Sequence, residues 1–418
     1  MGEISKITTE KMKDVVNIVS NAYPGFSVHS VEEKQRLEEK LQNIQENNEF
    51  VNLYGYYEEN ELRGNLRLHD FTINLFSKKM KAGGLGLVAV DLLHKKEKIA
   101  KQMVEYFLQY YYERQASIVM LYPFRPDFYK YMGFGFGTKM NQYKLIPSQF
   151  PNFRVKDHLV YLSSKDKEKY ASCYQKYMEN QHGMIERTPF EIDTLFKQGE
   201  NRVIGYEKDG EIEGYAIFSF QKEKEGNFLI NNIHIKEMVY LHTEALKELL
   251  TFFHSQADQI NRIYLNTQDE YFHYNFFDAR NGTNEIIPPI YHETNTSGVG
   301  IMYRMINTSK FFQQLSGVCF GPIDCKIKFS ITDSFLSKNN GPVFVDFRNG
   351  YPYVIENQSD WEVEMTMDVS DFSSMAVGAV PFDKLYEYGL VKLSNEDYIE
   401  QLSSLFSGTQ KPICMTAF

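Results

Sequence analysis

The residues best placed to do chemistry lie between Gly83 and Gly137. His94-Lys95-Lys96-Glu97-Lys98 is a cationic run that stands just before apolar residues at Ile99, Ala100, Met103, Val104, Phe107, Leu108 and Tyr111. That spacing of three and four predicts an amphipathic helix. The first turn of a helix has backbone N–H groups with no intrahelical partner and carries the positive end of the helix dipole. A cationic loop at that point therefore suits an anion such as a pyrophosphate. Lysines in such a loop are as often simply solvated, and the order of the neighbouring parts is what favours binding. Further on, Phe128-Tyr129-Lys130-Tyr131-Met132-Gly133-Phe134 sets phenols in an aromatic turn, where a phenol can give a proton to a leaving group.

Short apolar strands must position these residues. Gly86-Leu87-Val88-Ala89-Val90 precedes the cationic loop, and Ser117 to Tyr122 separates the helix from the aromatic turn. Upstream, Thr9 to Ala22 predicts a helix with Met12, Val15, Val16 and Val19 on one face. Ser30 followed by Glu33 has capping-box spacing and opens a second, charged helix. Between them lies the aromatic loop Ala22-Tyr23-Pro24-Gly25-Phe26. Phe50 to Tyr57 and Leu62 to Leu68 alternate around a polar turn, which predicts a hairpin. Phe71 to Phe76 continues the sheet, Ser77 to Gly84 reads as a turn, and Asn141 to Ile146 as the last strand. Pro147 to Phe153 reads as a linker.

This order of parts resembles the GCN5-related N-acetyltransferase (GNAT) superfamily. The resemblance implies that Val88, Ala89 and Val90 contact the pantetheine arm of acetyl-CoA. It implies that Lys95, Lys96, Glu97, Lys98, Ile99, Ala100 and Lys101 hold the pyrophosphate, mainly through backbone N–H groups, and that Phe124 and Arg125 touch the rest of CoA. Tyr129 becomes the general acid. The loop between the first two helices lines the acceptor site in this fold, which makes Tyr23 and Phe26 candidate acceptor-binding residues; an ordinary helix–helix connection is an equal reading of that loop. Lys98 stands where the pyrophosphate loop usually has its first glycine, the residue that lets backbone approach phosphate closely.

Composition bounds the rest. At 418 residues the chain has room for two or three domains. No apolar run approaches the ~20 residues that span a bilayer, and the N-terminal stretch lacks a signal peptide's apolar core, so a cytoplasmic protein is expected. Cys173, Cys319, Cys325 and Cys414 have no CxxC spacing, which argues against a disulfide framework or a structural zinc. His273 has no second ligand at metal spacing. The net charge of −10 disfavours a nucleic-acid partner and suits a cationic substrate.

The elements between Lys165 and Leu265 repeat the order of those between residues 50 and 122. Lys236-Glu237-Met238-Val239-Tyr240 takes the place of the basic loop and no aromatic turn follows, so this copy is expected to be structural. From about Tyr291 an α+β pattern begins, with strands at Val299–Ile306, Cys325–Ile331, Val343–Asp346, Tyr351–Ile355 and Trp361–Val369, and short helices after Ser370; it resembles a sterol-carrier-protein-like domain. The expected fold class is thus α+β and α/β: a catalytic GNAT-like domain over 1–148, a degenerate copy over 149–290 and a sterol-carrier-like domain over 291–418.

That architecture, the Ala82-to-Val90 stretch, Gly300 to Asn307 and the aromatic C-terminus together resemble the enhanced-intracellular-survival (Eis) acetyltransferases. The resemblance implies direct acetyl transfer from acetyl-CoA to a primary amine of a cationic substrate, such as an aminoglycoside, a polyamine or a lysine side chain, without a metal. It makes the terminal carboxylate of Phe418 the general base, and it implies a homo-oligomer, a hexamer. An ammonium with a lysine-like pKa of ~10.4 must lose a proton before it can attack a thioester, and a carboxylate in a partly desolvated cleft can accept it. In the aminoglycoside-acetylating members an acidic residue precedes the terminal Phe; here it is Ala417. N-myristoyltransferases, which also pair two GNAT-like halves with a C-terminal carboxylate, and a non-catalytic lipid-carrier module are the alternative readings. FemABX-type aminoacyl transferases also duplicate the fold, but the acidic charge and basic loop argue against them.

Overall fold

The alternating runs around Glu59 and Asn60 form the expected hairpin, and both of these residues take the positive φ that a tight two-residue turn requires. In the computed structural model, which describes residues 2–26, 28–197, 199–224, 226, 229–356, 360–408 and 410–418, the N-terminal elements are β1 (Glu3–Lys6), α1 (Met12–Ala22), α2 (Val31–Asn47), β2 (Val51–Glu58), β3 (Glu61–Leu75), β4 (Lys78–Val90), α3 (Ile99–Glu113), β5 (Ile118–Leu121), α4 (Pro126–Tyr131) and β6 (Gly135–Phe136). The capping box at α2 is present: Ser30 Oγ accepts from Glu33 N at 3.1 Å while Glu33 Oε2 accepts from Ser30 N at 2.8 Å. The segment read as a turn, Ser77 to Gly84, is instead the first part of β4, and the turn is Phe76–Ser77. Its glycines belong in a strand because large rings lie over them. A Cβ on Gly83 would overlap the Tyr111 ring, and one on Gly84 the Phe71 ring.

Next come β7 (Met140–Leu145), β8 (Leu159–Tyr161), α5 (Lys167–Asn180), α6 (Pro189–Lys197), β9 (Arg202–Lys208), β10 (Glu211–Lys222), β11 (Asn231–Tyr240), α7 (Thr243–His254), β12 (Ile260–Thr267), β13 (Ile286–Ile287), β14 (Tyr291–His292) and β15 (Thr296–Gly298). A seven-stranded sheet runs β15-β7-β12-β11-β10-β9-β8. The strand at 140–145 therefore does not close the first sheet, because it pairs with β12 and β15. Nor is Pro147 to Phe153 a free linker: Phe150 is buried against Phe253 and Phe276. Lys236 to Tyr240 is the continuation of β11, not a loop.

The last part comprises β16 (Met302–Met305), α8 (Thr308–Gln314), β17 (Cys325–Thr332), β18 (Gly341–Arg348), β19 (Tyr351–Ile355), β20 (Val363–Asp368), α9 (Val369–Ala376), α10 (Phe382–Glu387), β21 (Val391–Leu393) and α11 (Ile399–Leu405). Five of these strands form their own sheet, β19-β18-β17-β20-β21. β16 does not join it. It lies between β5 and β6 in the first sheet, ordered β1-β2-β3-β4-β5-β16-β6.

The chain divides into two compact units, Met1–Gly137 with Gly300–Pro412 and Thr416–Phe418, and Thr138–Val299 with Ile413–Met415. In the first, α3 lays Met103, Val104, Phe107 and Leu108 on Leu66, Leu68 and Leu85 of the sheet. Each such fully buried side chain contributes roughly 1.5–3 kcal/mol. α1 covers the opposite face, with Val15 and Val19 near Leu53 and Ala89. Among the described residues no helix is long and apolar enough to cross a membrane.

Candidate active site

β4 and β5 are parallel neighbours only from Ala82↔Ile118 to Leu85↔Leu121. Beyond Leu85 the two strands separate, and β4 bulges against β3, its register shifting between Asn65↔Ala89 and Arg67↔Gly86. Leu87, at a φ of 48°, is the bulged residue. Such a bulge re-aims the backbone of a strand that has lost its neighbour. The carbonyl of Leu87 accepts from Asn65 Nδ2 at 2.8 Å, and that of Val88 accepts from the Tyr23 hydroxyl at 2.5 Å. Val88 and Ala89 are buried and Val90 half-buried. The opening between β4 and β5 is thus lined by strand backbone on one side.

The cationic loop follows directly. Asp91 accepts from Leu93 N at 2.9 Å, Leu92–His94 makes one 3-10 turn, and His94 Nδ1 meets Glu97 Oε2 at 3.0 Å. Lys95, Lys96, Glu97 and Lys98 are exposed, Ile99 is buried and Ala100 half-buried. Lys101 pairs with Glu105 at 3.5 Å. Among the described residues Lys95, Lys96 and Lys98 enter no ion pair. Lys98 takes the left-handed conformation, φ 66° and ψ 13°, and no side chain caps α3. The lysine has therefore adopted the backbone that a glycine would, at a cost of roughly 1–2 kcal/mol. Free cationic side chains beside uncapped N–H groups of a 15-residue helix fit the phosphates of CoA.

Tyr129 sits in α4, which starts on Pro126. Its ring is 3% exposed and meets Phe124, Phe128 and Phe134 at 5.6, 5.2 and 5.8 Å between centroids. Burial, with a smaller contribution from the Tyr23 phenol, pushes its pKa well above the ordinary value, so it holds its proton at neutral pH. Its hydroxyl has no hydrogen-bond partner among the described residues. Backbone bonds from Met132 and Phe134 to the Tyr129 carbonyl, at 2.9 and 3.1 Å, close the turn. The fully buried Arg304 donates to Met132 O at 2.7 Å and to Asp333 Oδ1 at 2.8 Å. Phe124 is exposed, and Arg125 pairs with Asp127 at the surface.

Tyr23 is half-buried and stacks on the exposed Phe26 at 5.1 Å. Desolvation pushes its pKa up to about 12, partly offset by Arg67. Phe418 lies among Phe71, Tyr122 and His69, with ring centroids at 4.9, 5.2 and 5.5 Å. The Tyr122 hydroxyl reaches Thr416 O at 3.2 Å. A Cβ on Gly86 would stand 3.2 Å from the carboxyl carbon of Phe418, 3.3 Å from Arg67 Nη2 and 3.4 Å from His69 Nε2.

The structure thus gathers Phe418, Tyr23 and the β4 strand in one unit, and adds Arg67, His69, Gly86 and Tyr122, which the sequence reading passed over. A signal for two of them existed. Asn65, Arg67 and His69 alternate with Leu66 and Leu68, which gives that part of β3 one polar face.

Residues 3–137 match a family model described as an acetyltransferase (GNAT) domain, residues 183–298 match a second acetyltransferase (GNAT) domain, and residues 309–415 match a sterol carrier protein domain. No curated protein sequence matches the chain. Among solved structures, a GCN5-related N-acetyltransferase from Anabaena variabilis is similar at 17% identity and a TM-score of 0.80. A conserved protein of unknown function from Enterococcus faecalis, a probable N-acyltransferase, gives 17% and 0.78, and Eis1 from Mycobacterium abscessus 15% and 0.73. Each match covers 100% of both chains, and at such identity the likeness is one of fold. With GNAT domains over more than half of its length, the chain belongs to the GNAT acetyltransferases, enzymes built on acetyl-CoA-binding domains, and joins two of those domains to a sterol carrier protein domain in an Eis-like arrangement.

Proposed function

We propose that this chain transfers an acetyl group directly from acetyl-CoA to a primary amine, with Tyr129 as general acid and the carboxylate of Phe418 as general base. Acetyl-CoA, when bound, supplies the acetyl group as an activated thioester. Val88, Ala89 and Val90 hold its arm along the β4 backbone, and Lys95 to Lys101 hold the pyrophosphate at the start of α3. Phe418 takes the proton that an ammonium must lose before it can act as a nucleophile. Tyr129 Oη, kept protonated by burial, donates to the departing sulfur. Tyr23 and Phe26 border the acceptor, whose cationic character is suggested by the net charge of −10.

The observation that carries this reading is the placement of the Phe418 carboxyl carbon over Gly86, two residues before Val88 on the same strand. The test is a thiol-release assay with acetyl-CoA and a panel of polyamines, aminoglycosides and peptide amines. Tyr129→Phe and a variant carrying one extra Gly after Phe418 should each lose on the order of 10²-fold or more in kcat while still binding acetyl-CoA. An extended variant as active as wild type removes Phe418 from the mechanism. Failure to bind acetyl-CoA removes the activity itself.

A further inference from the structure

β3 turns two polar side chains away from the α3 cluster. Leu66 and Leu68 face that cluster, so Arg67 and His69, alternating with them, face the other way together with Phe71. Arg67 Nε donates to His69 Nε2 at 2.9 Å. This bond assigns the His69 proton to Nδ1 and occupies the lone pair that would make it a base. His69 is buried; that burial, reinforced by Arg67, holds its pKa well below the usual histidine value, so the ring is neutral.

Opposite Arg67 in the register is Gly86. Lacking a side chain, it leaves a space on which three groups converge: the Phe418 carboxyl carbon, Arg67 Nη2 and His69 Nε2 all lie within 3.4 Å of the point a Cβ would occupy. Among the described residues Arg67 forms no ion pair or hydrogen bond with a carboxylate, that of Phe418 included; its guanidinium stands across the Gly86 space from the terminal carboxyl group. Asp70, near it in sequence, belongs to the other face, where the Tyr111 hydroxyl donates to it at 2.8 Å. The titratable groups near Arg67 and the Phe418 carboxyl are thus His69 from β3, the Tyr23 phenol, which interacts with Arg67 and is kept protonated by burial, and the Tyr122 phenol, whose hydroxyl reaches Thr416 O. With His69 neutral, Arg67 is the one positive charge beside them.

We propose that Arg67, braced by His69, is a positioning residue that holds the Phe418 carboxylate in place over Gly86 and keeps it ionised. The proposal rests on the reading of Phe418 as the base. Phe71, His69 and Tyr122 pack around the terminal ring, and such surroundings favour the neutral acid. An opposite charge within ~4–6 Å favours the ionised form by about 1–3 pH units, so the guanidinium offsets the desolvation. The brace matters because a free arginine has rotamers that would carry it away from the cleft.

The test is direct titration of the carboxylate. In full-length protein labelled with carbonyl-13C phenylalanine, the terminal resonance is followed from about pH 5 to about pH 8, the range above an ordinary α-carboxyl pKa. Wild type and Arg67→Lys should give a flat trace. Arg67→Gln should show a titration step inside the window, and the acid limb of its kcat/KM profile should move up by about one pH unit or more with the KM for acetyl-CoA unchanged. A flat trace in folded Arg67→Gln, or a step in wild type, overturns the proposal. Should Arg67→Gln fail to fold, His69→Leu removes the brace while leaving Arg67 and an apolar side chain beside the Phe418 ring, and should show a smaller upward displacement; a trace identical to wild type there overturns it equally. The one-glycine extension separates the two ideas. If it abolishes turnover while Arg67→Gln leaves the titration unmoved, Arg67 falls and the base stands. If the extension is harmless, the base falls, whatever Arg67 does to the carboxylate.

Discussion

The two GNAT domains share a frame and differ in what they hang on it. In each, a parallel strand pair is in register for a short distance, Ala82–Leu85 with β5 and Asn231–Ile235 with β12, and the lead strand then bulges against its antiparallel neighbour. From β4 the chain passes through Asp91–Lys98 before α3 begins, with Lys96 and Lys98 at positive φ and no side chain capping the helix. From β11 it passes through Leu241 and His242 alone, and His242 caps α7 itself by accepting from Ala245 N at 3.3 Å. The first helix start is open to an anion; the second is satisfied from within.

The residues beyond the bulges differ in the same sense. The first domain has Gly86 and room for the Phe418 carboxyl group. In the second, Lys236 follows the last parallel pair, and Glu237 is buried in a network with Arg187, Tyr170 and Tyr215. Ile413 and Met415 pack against the same cluster, which also contains Tyr174 and Val239. One copy turns Arg67 and His69 toward the space over Gly86, and the other pairs Arg187 with Glu237 in its core. The candidate site on this frame combines a longer connection, Asp91–Lys98, with a missing side chain at Gly86 and an uncapped helix start.

Breaking the second copy's core should have the largest effect, and on stability alone. Arg187→Met leaves Glu237 buried with only hydroxyl partners, which should cost about 3–5 kcal/mol. Denaturant melts should show that loss while the folded fraction keeps its acetyl-CoA affinity. A weaker affinity at wild-type stability would bring the second copy into the chemistry. Next is Gly86→Ala, which puts a side chain where the first copy has none and the second has Lys236. The new Cβ would sit 3.2–3.4 Å from Phe418, Arg67 and His69, so the carboxylate must shift, and kcat should fall about 10-fold or more with a modest loss of stability. Unchanged turnover would show that the carboxylate does not act from this position. The smallest effect is at Lys98→Gly. It relieves a left-handed lysine, so stability should rise by under about 1 kcal/mol. CoA affinity should drop a few-fold at low salt, with the gap closing as salt rises. An affinity that is insensitive to salt would mean that the backbone of the loop, and not its charge, does the binding.

Local patterns settled much of this protein in advance. The α3 stripe, the capping box at Ser30 and Glu33, the hairpin at Glu59–Asn60 and α7 at Thr243–His254 each depend on residues a few positions apart, and short-range geometry is what a linear pattern encodes. The aromatic turn and the basic loop were legible for the same reason. Ser77 to Gly84 has the glycines and lysines of a turn, but Tyr111 and Phe71 lie over the glycines and the segment runs on as strand. Only the tertiary structure could decide that β16 joins the first sheet and β7 the second, since a strand's partner is chosen by long-range pairing and its own sequence says little about it. The convergence of Arg67, His69, Gly86 and Phe418 is of that kind. Residues 67 and 418 carry no mutual signal along the chain, and their meeting depends on how the sheet brings distant backbone together.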